Sequence, residues 1–220
     1  MSQGRITLYV DVGSPFGYMG YLITRNHPAF KGVECTYIPM FLGGLMKQCG
    51  TQSPLTIKNK SEWIALERLR WVQIFDIPMA TETPDPFPQS TVNTQRALCY
   101  IATAFPAPKL AEAMDVLYDT LWVQRKTVGK PDVIAEALRS VFTQDEVKSV
   151  LEGMKGDAAT KALPENTNKA FEDGAFGVPC FVATNVKGET QGFWGVYHIG
   201  QVLHFLGIER GESNGLKALL

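Results

Sequence analysis

Ser14 and Pro15 are the residues whose types and spacing first suggest chemistry. They stand between an apolar run over 6–12 and a run over 16–26 that can be helical. Serine followed by proline suits a helix start. The hydroxyl accepts from an orphan backbone N–H, and proline fits the first helical position. The hydroxyl proton is left over as a donor at the positive end of a helix, where an anion is stabilised. Other reactive groups are sparse. Cys35, Cys49, Cys99 and Cys180 form no C-x-x-C pair, and with His27, His198 and His204 they show no zinc-ligand spacing. The expectation is buried free thiols in a reducing compartment and no metal site.

The elements that must position Ser14 can be read from periodicity. Residues 6–12 and 33–40 are β-branched and aromatic and predict two strands, joined by the helix after Ser14. Such a unit favours a parallel pair with a right-handed crossover. Residues 62–75 and 93–105 predict helices, the second with Ala97, Leu98, Ile101, Ala104 and Phe105 on one face. Leu110, Met114, Leu117 and Leu121 predict a third, and Ile134, Leu138 and Val141 a fourth. Thr143 and Glu146 have capping-box spacing ahead of Val147, Val150, Leu151 and Met154. Residues 78–88 hold four prolines and predict a loop. Strands return at 181–183 and 192–194 around a hairpin turn at 185–188, before a last helix over 200–207. The order β-α-β, helices, β-β-α predicts an α/β thioredoxin-like fold with an inserted all-helical domain. Residues 1–60 and 172–220 would form the discontinuous thioredoxin-like part and 61–171 the insertion.

Composition bounds the partners. The 220 residues are 45% hydrophobic and carry 21 basic and 22 acidic side chains, a net charge of -1. No basic excess recruits nucleic acid, and no apolar stretch reaches the ~20 residues of a membrane span. The amino terminus lacks a secretory pattern, and Lys217-Ala218-Leu219-Leu220 is not a Ser-Lys-Leu ending. Cytoplasm is the default expectation, with mitochondrial and peroxisomal locations left open.

Four motifs occur in a recognisable order: Asp11-Val12-Gly13-Ser14-Pro15-Phe16, Gly43-Gly44-Leu45-Met46-Lys47, Thr91-Val92-Asn93 with Arg96, and Gly174-Ala175-Phe176-Gly177-Val178-Pro179. Together they resemble the kappa-class glutathione transferases and the 2-hydroxychromene-2-carboxylate isomerases, on the DsbA-like branch of the thioredoxin superfamily. Redox members of that superfamily carry Cys-Pro-x-Cys where this chain has Ser14-Pro15-Phe16-Gly17, so disulfide exchange has no attacking thiolate. The resemblance implies that Ser14 is catalytic and stabilises the thiolate of glutathione, a cosubstrate bound beside Pro15. It implies a cis Val178–Pro179 bond, with the Val178 backbone pairing to the cysteinyl backbone of glutathione like an added strand. Lys60 falls at a family lysine for the glycyl carboxylate, and Thr51 replaces a family asparagine. Val196 and Tyr197 stand where the family holds the γ-glutamyl end with a small polar residue and an aspartate. The Val196 backbone N–H and the Tyr197 hydroxyl are the groups left to serve there. The resemblance implies that Asn93 and Arg96 brace the rim of the site, while a structural ion pair or cap is the reading their position at a helix start favours for both. Trp63, Trp71, Trp122 and Trp194 are candidates to line a pocket for a small hydrophobic electrophile. The implied activity is conjugation. Glutathione-dependent cis-trans isomerisation and thiol binding without turnover are the alternatives, and a homodimer is expected.

Overall fold

Isoleucine, leucine and valine alternate with threonine and tyrosine along Arg5–Val10, the central strand β1. The structure, a computed structural model, describes residues 3–209; the carboxyl-terminal Lys217-Ala218-Leu219-Leu220 lies outside the described residues. Strands β2 (Glu34–Pro39), β3 (Cys180–Thr184) and β4 (Thr190–Trp194) complete one sheet in the order β2-β1-β3-β4. β1 pairs parallel with β2 and antiparallel with β3, and β3 pairs antiparallel with β4. Helix α1 (Pro15–Asn26) makes the β1–β2 crossover. The helices α2 (Leu42–Gln48), α3 (Lys60–Phe75), α4 (Val92–Ala104), α5 (Ala107–Trp122), α6 (Pro131–Leu138), α7 (Gln144–Gly153) and α8 (Asp157–Glu172) lie between β2 and β3. Helix α9 (Ile199–Leu206) follows β4. This is the thioredoxin-like order with a helical insertion.

The two-residue period of β1 sends side chains to both faces of the sheet. Ile6, Leu8 and Val10 enter the main core with Met19 and Ile23 of α1 and Val202 and Leu203 of α9. Tyr9 enters a second cluster with Leu45 of α2, Ala170 of α8 and Cys180. Leu117 and Leu121 of α5 join the main core, so the helical insertion and the sheet share it. Each fully buried leucine there contributes roughly 1.5–3 kcal/mol.

The Thr143–Glu146 capping box forms at the start of α7 as its spacing predicts. Two helices run against local propensity. α2 contains Gly43 and Gly44, yet forms because Leu45 is buried on the sheet and Gly44 allows close approach to Phe41 and Thr167. α8 carries Pro164 inside it. The proline forfeits one helical hydrogen bond, but Ala159, Leu163, Thr167 and Ala170 still bury one continuous stripe. Among the described residues no helix is long and apolar enough to cross a membrane.

Candidate active site at the start of the first helix

Ser14 is the N-cap of α1, with Pro15 at the first helical position, as the dipeptide predicts. Its Oγ accepts from the Gly17 N–H at 3.0 Å. No acceptor takes the hydroxyl proton among the described residues, so the donor is uncommitted. The side chain is only 6% exposed, which holds that hydroxyl to a narrow approach.

The loop ahead of Ser14 is fixed from three directions. The buried Asp11 carboxylate accepts from the Gly13 N–H at 2.9 Å and the Leu42 N–H at 2.8 Å, and it is also hydrogen-bonded by Thr91. Burial pushes the Asp11 carboxyl up, and these three hydrogen bonds oppose that shift. From α5, the Trp122 indole donates to the Val12 carbonyl at 2.8 Å and the Tyr118 hydroxyl to the Asp11 carbonyl at 3.4 Å. From α4, Gln95 accepts from the Val12 N–H at 3.3 Å and donates to the carbonyls of Val10 and Met40, each at 2.8 Å. Gln95, which the motif reading did not single out, thus braces this loop directly. Asn93 instead donates to the Gly129 carbonyl at 3.0 Å. The Arg96 Nε is buried without a hydrogen-bond partner among the described residues.

The Val178–Pro179 bond is cis. Pro179 packs on α1 at Gly20, where an added Cβ would come within 2.9 Å of the proline ring. Val178 is buried, and the Gly195 N–H donates to the Pro179 carbonyl at 2.9 Å, bringing Val196 and Tyr197 to this end of the sheet. The Val196 side chain is buried in the core, so only its backbone is available to a ligand. Tyr197 is partly exposed, with its ring edge-on to Trp194 at 5.9 Å. Burial, and then the charge of Glu67 on α3, push its phenol up; that carboxylate neighbour is not legible in the sequence. Cys180 turns into the second core cluster, and burial pushes its thiol and that of Cys35 up to about 11 and that of Cys99 up to about 12. None of these three is a ready thiolate.

A cleft of about 470 Å³ opens at Pro15, walled by Leu55, Ile64, Arg68, Phe87 and Trp122 among others. Trp122 thus meets the expectation of a pocket tryptophan. Trp71 is buried beside Phe75, and Trp63 and Trp194 are exposed. Thr51 and Lys60 are exposed and flank the segment that supplies Leu55 to the cleft, without lining it themselves. The Thr51 hydroxyl donates to the Met46 carbonyl at 3.3 Å. Arg68 and the 83–87 wall escaped the sequence reading. The proline-rich loop carries cis bonds at Asp85–Pro86 and Phe87–Pro88, and buried Arg68 donates to the carbonyls of Ala80, at 2.6 Å, and Thr81. No carboxylate lies within ion-pair distance of Arg68 among the described residues.

The sheet order, the cis proline facing the first helix and the capped Ser14-Pro15 are the frame of one fold family. Residues 5–207 match the family model of the DsbA-like thioredoxin domain. The chain belongs to that family. This DsbA-like chain is 26% identical over 197 residues to glutathione S-transferase kappa 1 of Caenorhabditis elegans, spanning 87% of this chain and 85% of that protein. It is 23% identical over 182 residues to 2-hydroxychromene-2-carboxylate isomerase of Pseudomonas putida, spanning 79% and 82%. The DsbA-like fold itself superposes on a solved 2-hydroxychromene-2-carboxylate isomerase with a TM-score of 0.73 at 19% identity, covering 92% of this chain and 94% of that one.

Proposed function

We propose that this protein is a kappa-like glutathione transferase in which Ser14 holds glutathione as its thiolate for attack on a hydrophobic electrophile. The observation that carries the reading is the uncommitted Ser14 hydroxyl proton at the N-terminus of α1, beside the cleft that Pro15 lines. A free thiol with a pKa of about 8.5 is mostly protonated at neutral pH. Donation from the hydroxyl, together with the field of the helix start, favours the anion. The thiol proton leaves to solvent, and a sulfur lone pair forms the C–S bond. The displaced electrons pass to a leaving group or into a conjugated acceptor. Val178 offers its backbone to the cysteinyl main chain, and Lys60 and Thr51 serve the glycyl end. The Val196 N–H and the Tyr197 hydroxyl serve the γ-glutamyl end, where Glu67 supplies a negative charge for the ammonium. The similarity to the Caenorhabditis elegans protein supports glutathione as the sulfur source.

Arg68 favours a second reading, glutathione-dependent isomerisation of a carboxylate substrate. It is a buried cation in the wall of the cleft with no acid within ion-pair distance among the described residues, Glu82 acting on it through its charge alone, a suitable counter-charge for such a ligand. There the thiolate adds reversibly, a bond rotates and the thiol leaves unchanged.

Ultraviolet titration of bound glutathione tests the shared step. Ser14→Ala should raise the thiol pKa by about one unit, equivalent to ~1.4 kcal/mol, and slow turnover. Superimposable titrations of the two proteins would refute the role of Ser14. Product formed with loss of free thiol marks the transferase, and product formed without it the isomerase.

A further inference from the structure

A second cleft, of about 630 Å³, runs along α1 where it meets α5 and α6, and it shares no lining residue with the cleft at Pro15. Each helix contributes a stripe at helical spacing: Tyr18, Leu22 and Arg25; then Val116, Asp119 and Thr120; then Val133, Glu136 and Ala137. Its volume is that of a small-molecule pocket.

The charges in it nearly all cancel. Arg25 pairs with Asp115 at 2.8 Å, and the other Asp115 oxygen accepts from Tyr21 at 2.6 Å. Lys126 pairs with Glu136 at 2.9 Å. Asp119 is left over. Its Oδ2 accepts from the Gln124 amide at 2.6 Å, but no cation pairs with it among the described residues, so the lining carries one surplus negative charge. A second observation points the same way. Tyr18 is only 3% exposed, and its ring is held in a stack on Tyr118 at 4.7 Å. Its hydroxyl nevertheless has no hydrogen-bond partner among the described residues. The ring is enclosed but the oxygen is not, so the hydroxyl is open on the side of the cleft that Tyr18 lines. Tyr18 lines the cleft together with Asp119 and Asp115, the carboxylates whose charge acts on its hydroxyl.

We propose that this cleft binds a small organic cation, a primary ammonium carried on an apolar body. The ammonium donates to the Asp119 carboxylate and to the Tyr18 hydroxyl oxygen. The body lies over Leu22, Val116, Val133 and Ala137. The site is independent of the Ser14 chemistry and stands or falls without it.

Phenethylammonium chloride is the probe, titrated into isotope-labelled protein while backbone amide shifts are followed. Binding should saturate in the millimolar range or tighter, with the largest shifts in residues 18–26 and 115–126. Asp119→Asn should weaken it roughly tenfold and Tyr18→Phe by about threefold to tenfold, the scale of a single net hydrogen bond. Phenylpropionate, of similar shape and opposite charge, should not saturate. The proposal is overturned if phenethylammonium fails to saturate, if the anion binds as well, or if Asp119→Asn binds like the wild type. Asp119→Asn keeps the acceptor for Gln124 and disturbs no buried ring, so it decides the matter even where Tyr18→Phe does not fold.

Discussion

Ser14 does two jobs with one hydroxyl. As acceptor it caps α1 through the Gly17 N–H, and as donor it has a proton to give. The two roles can be separated by substitution. Ser14→Ala removes both and should also lower stability by about 0.5–2 kcal/mol, the usual worth of an N-cap. Ser14→Asp keeps an acceptor for the cap but places a negative charge beside the thiol. Its stability should stay within about 1 kcal/mol of wild type, while the pKa of bound glutathione rises and turnover falls. Chemical denaturation and thiol titration of the same samples check this. Loss of stability equal to that of Ser14→Ala would show that the cap geometry does not accept a carboxylate.

At the scale of elements, the site depends on how closely α1 approaches the cis Val178–Pro179 segment. Gly20 permits that approach, since a Cβ there would meet Pro179 at 2.9 Å and Phe181 at 3.2 Å. Gly20→Ala should therefore destabilise the fold by about 1–3 kcal/mol despite the better helix propensity of alanine. It should also weaken glutathione binding, measured by calorimetry, by moving Ser14 relative to Val178. Wild-type stability in that variant would mean that the contact relaxes freely. Just past the far end of α1, the His27 side chain makes a pH-sensitive cap for the 3-10 turn Pro28–Phe30. The His27 Nδ1 accepts from the Ala29 N–H at 3.2 Å, which needs the neutral ring. Burial lowers the His27 pKa below its ordinary 6.5. In that window the unfolded chain binds more protons than the folded one, so stability rises with pH and is lost as pH falls below 6.5. His27→Asn, which keeps a side-chain acceptor but does not titrate, should flatten urea midpoints measured across that range. An unchanged slope would assign the acid sensitivity to other groups.

At the scale of the whole molecule, Gln95 ties the helical insertion to the sheet. One amide side chain serves the Val10 and Met40 carbonyls and the Val12 N–H, at the ends of two strands and the start of the active-site loop. Gln95→Leu has nearly the same shape but leaves the Val12 N–H and the Met40 carbonyl unpaired, the Val10 carbonyl keeping its bond from the Met40 N–H at 2.9 Å. It should lower stability by about 3 kcal/mol or more and reduce turnover through the loop that carries Ser14. A urea midpoint within error of wild type would show that water replaces the amide.

The sequence alone determined what is local. Ser14-Pro15 as a capped helix start, the capping box at Thr143 and Glu146, the proline loop and the β-α-β opening rest on neighbours one to four residues apart. Their hydrogen bonds and periodicities are therefore written in adjacent letters. The order of elements and the four motifs were enough to indicate the thioredoxin-like frame. Tertiary structure decided what depends on distant partners. Gln95 meets Val12 across 83 positions, Glu67 approaches Tyr197, and Arg68 turns into the wall that also holds Pro15. The unpartnered Tyr18 hydroxyl acquires meaning only when α5 and α6 close around it. A polar side chain announces its donors and acceptors in the sequence, but which of them remain unsatisfied is settled only when the chain folds back on itself.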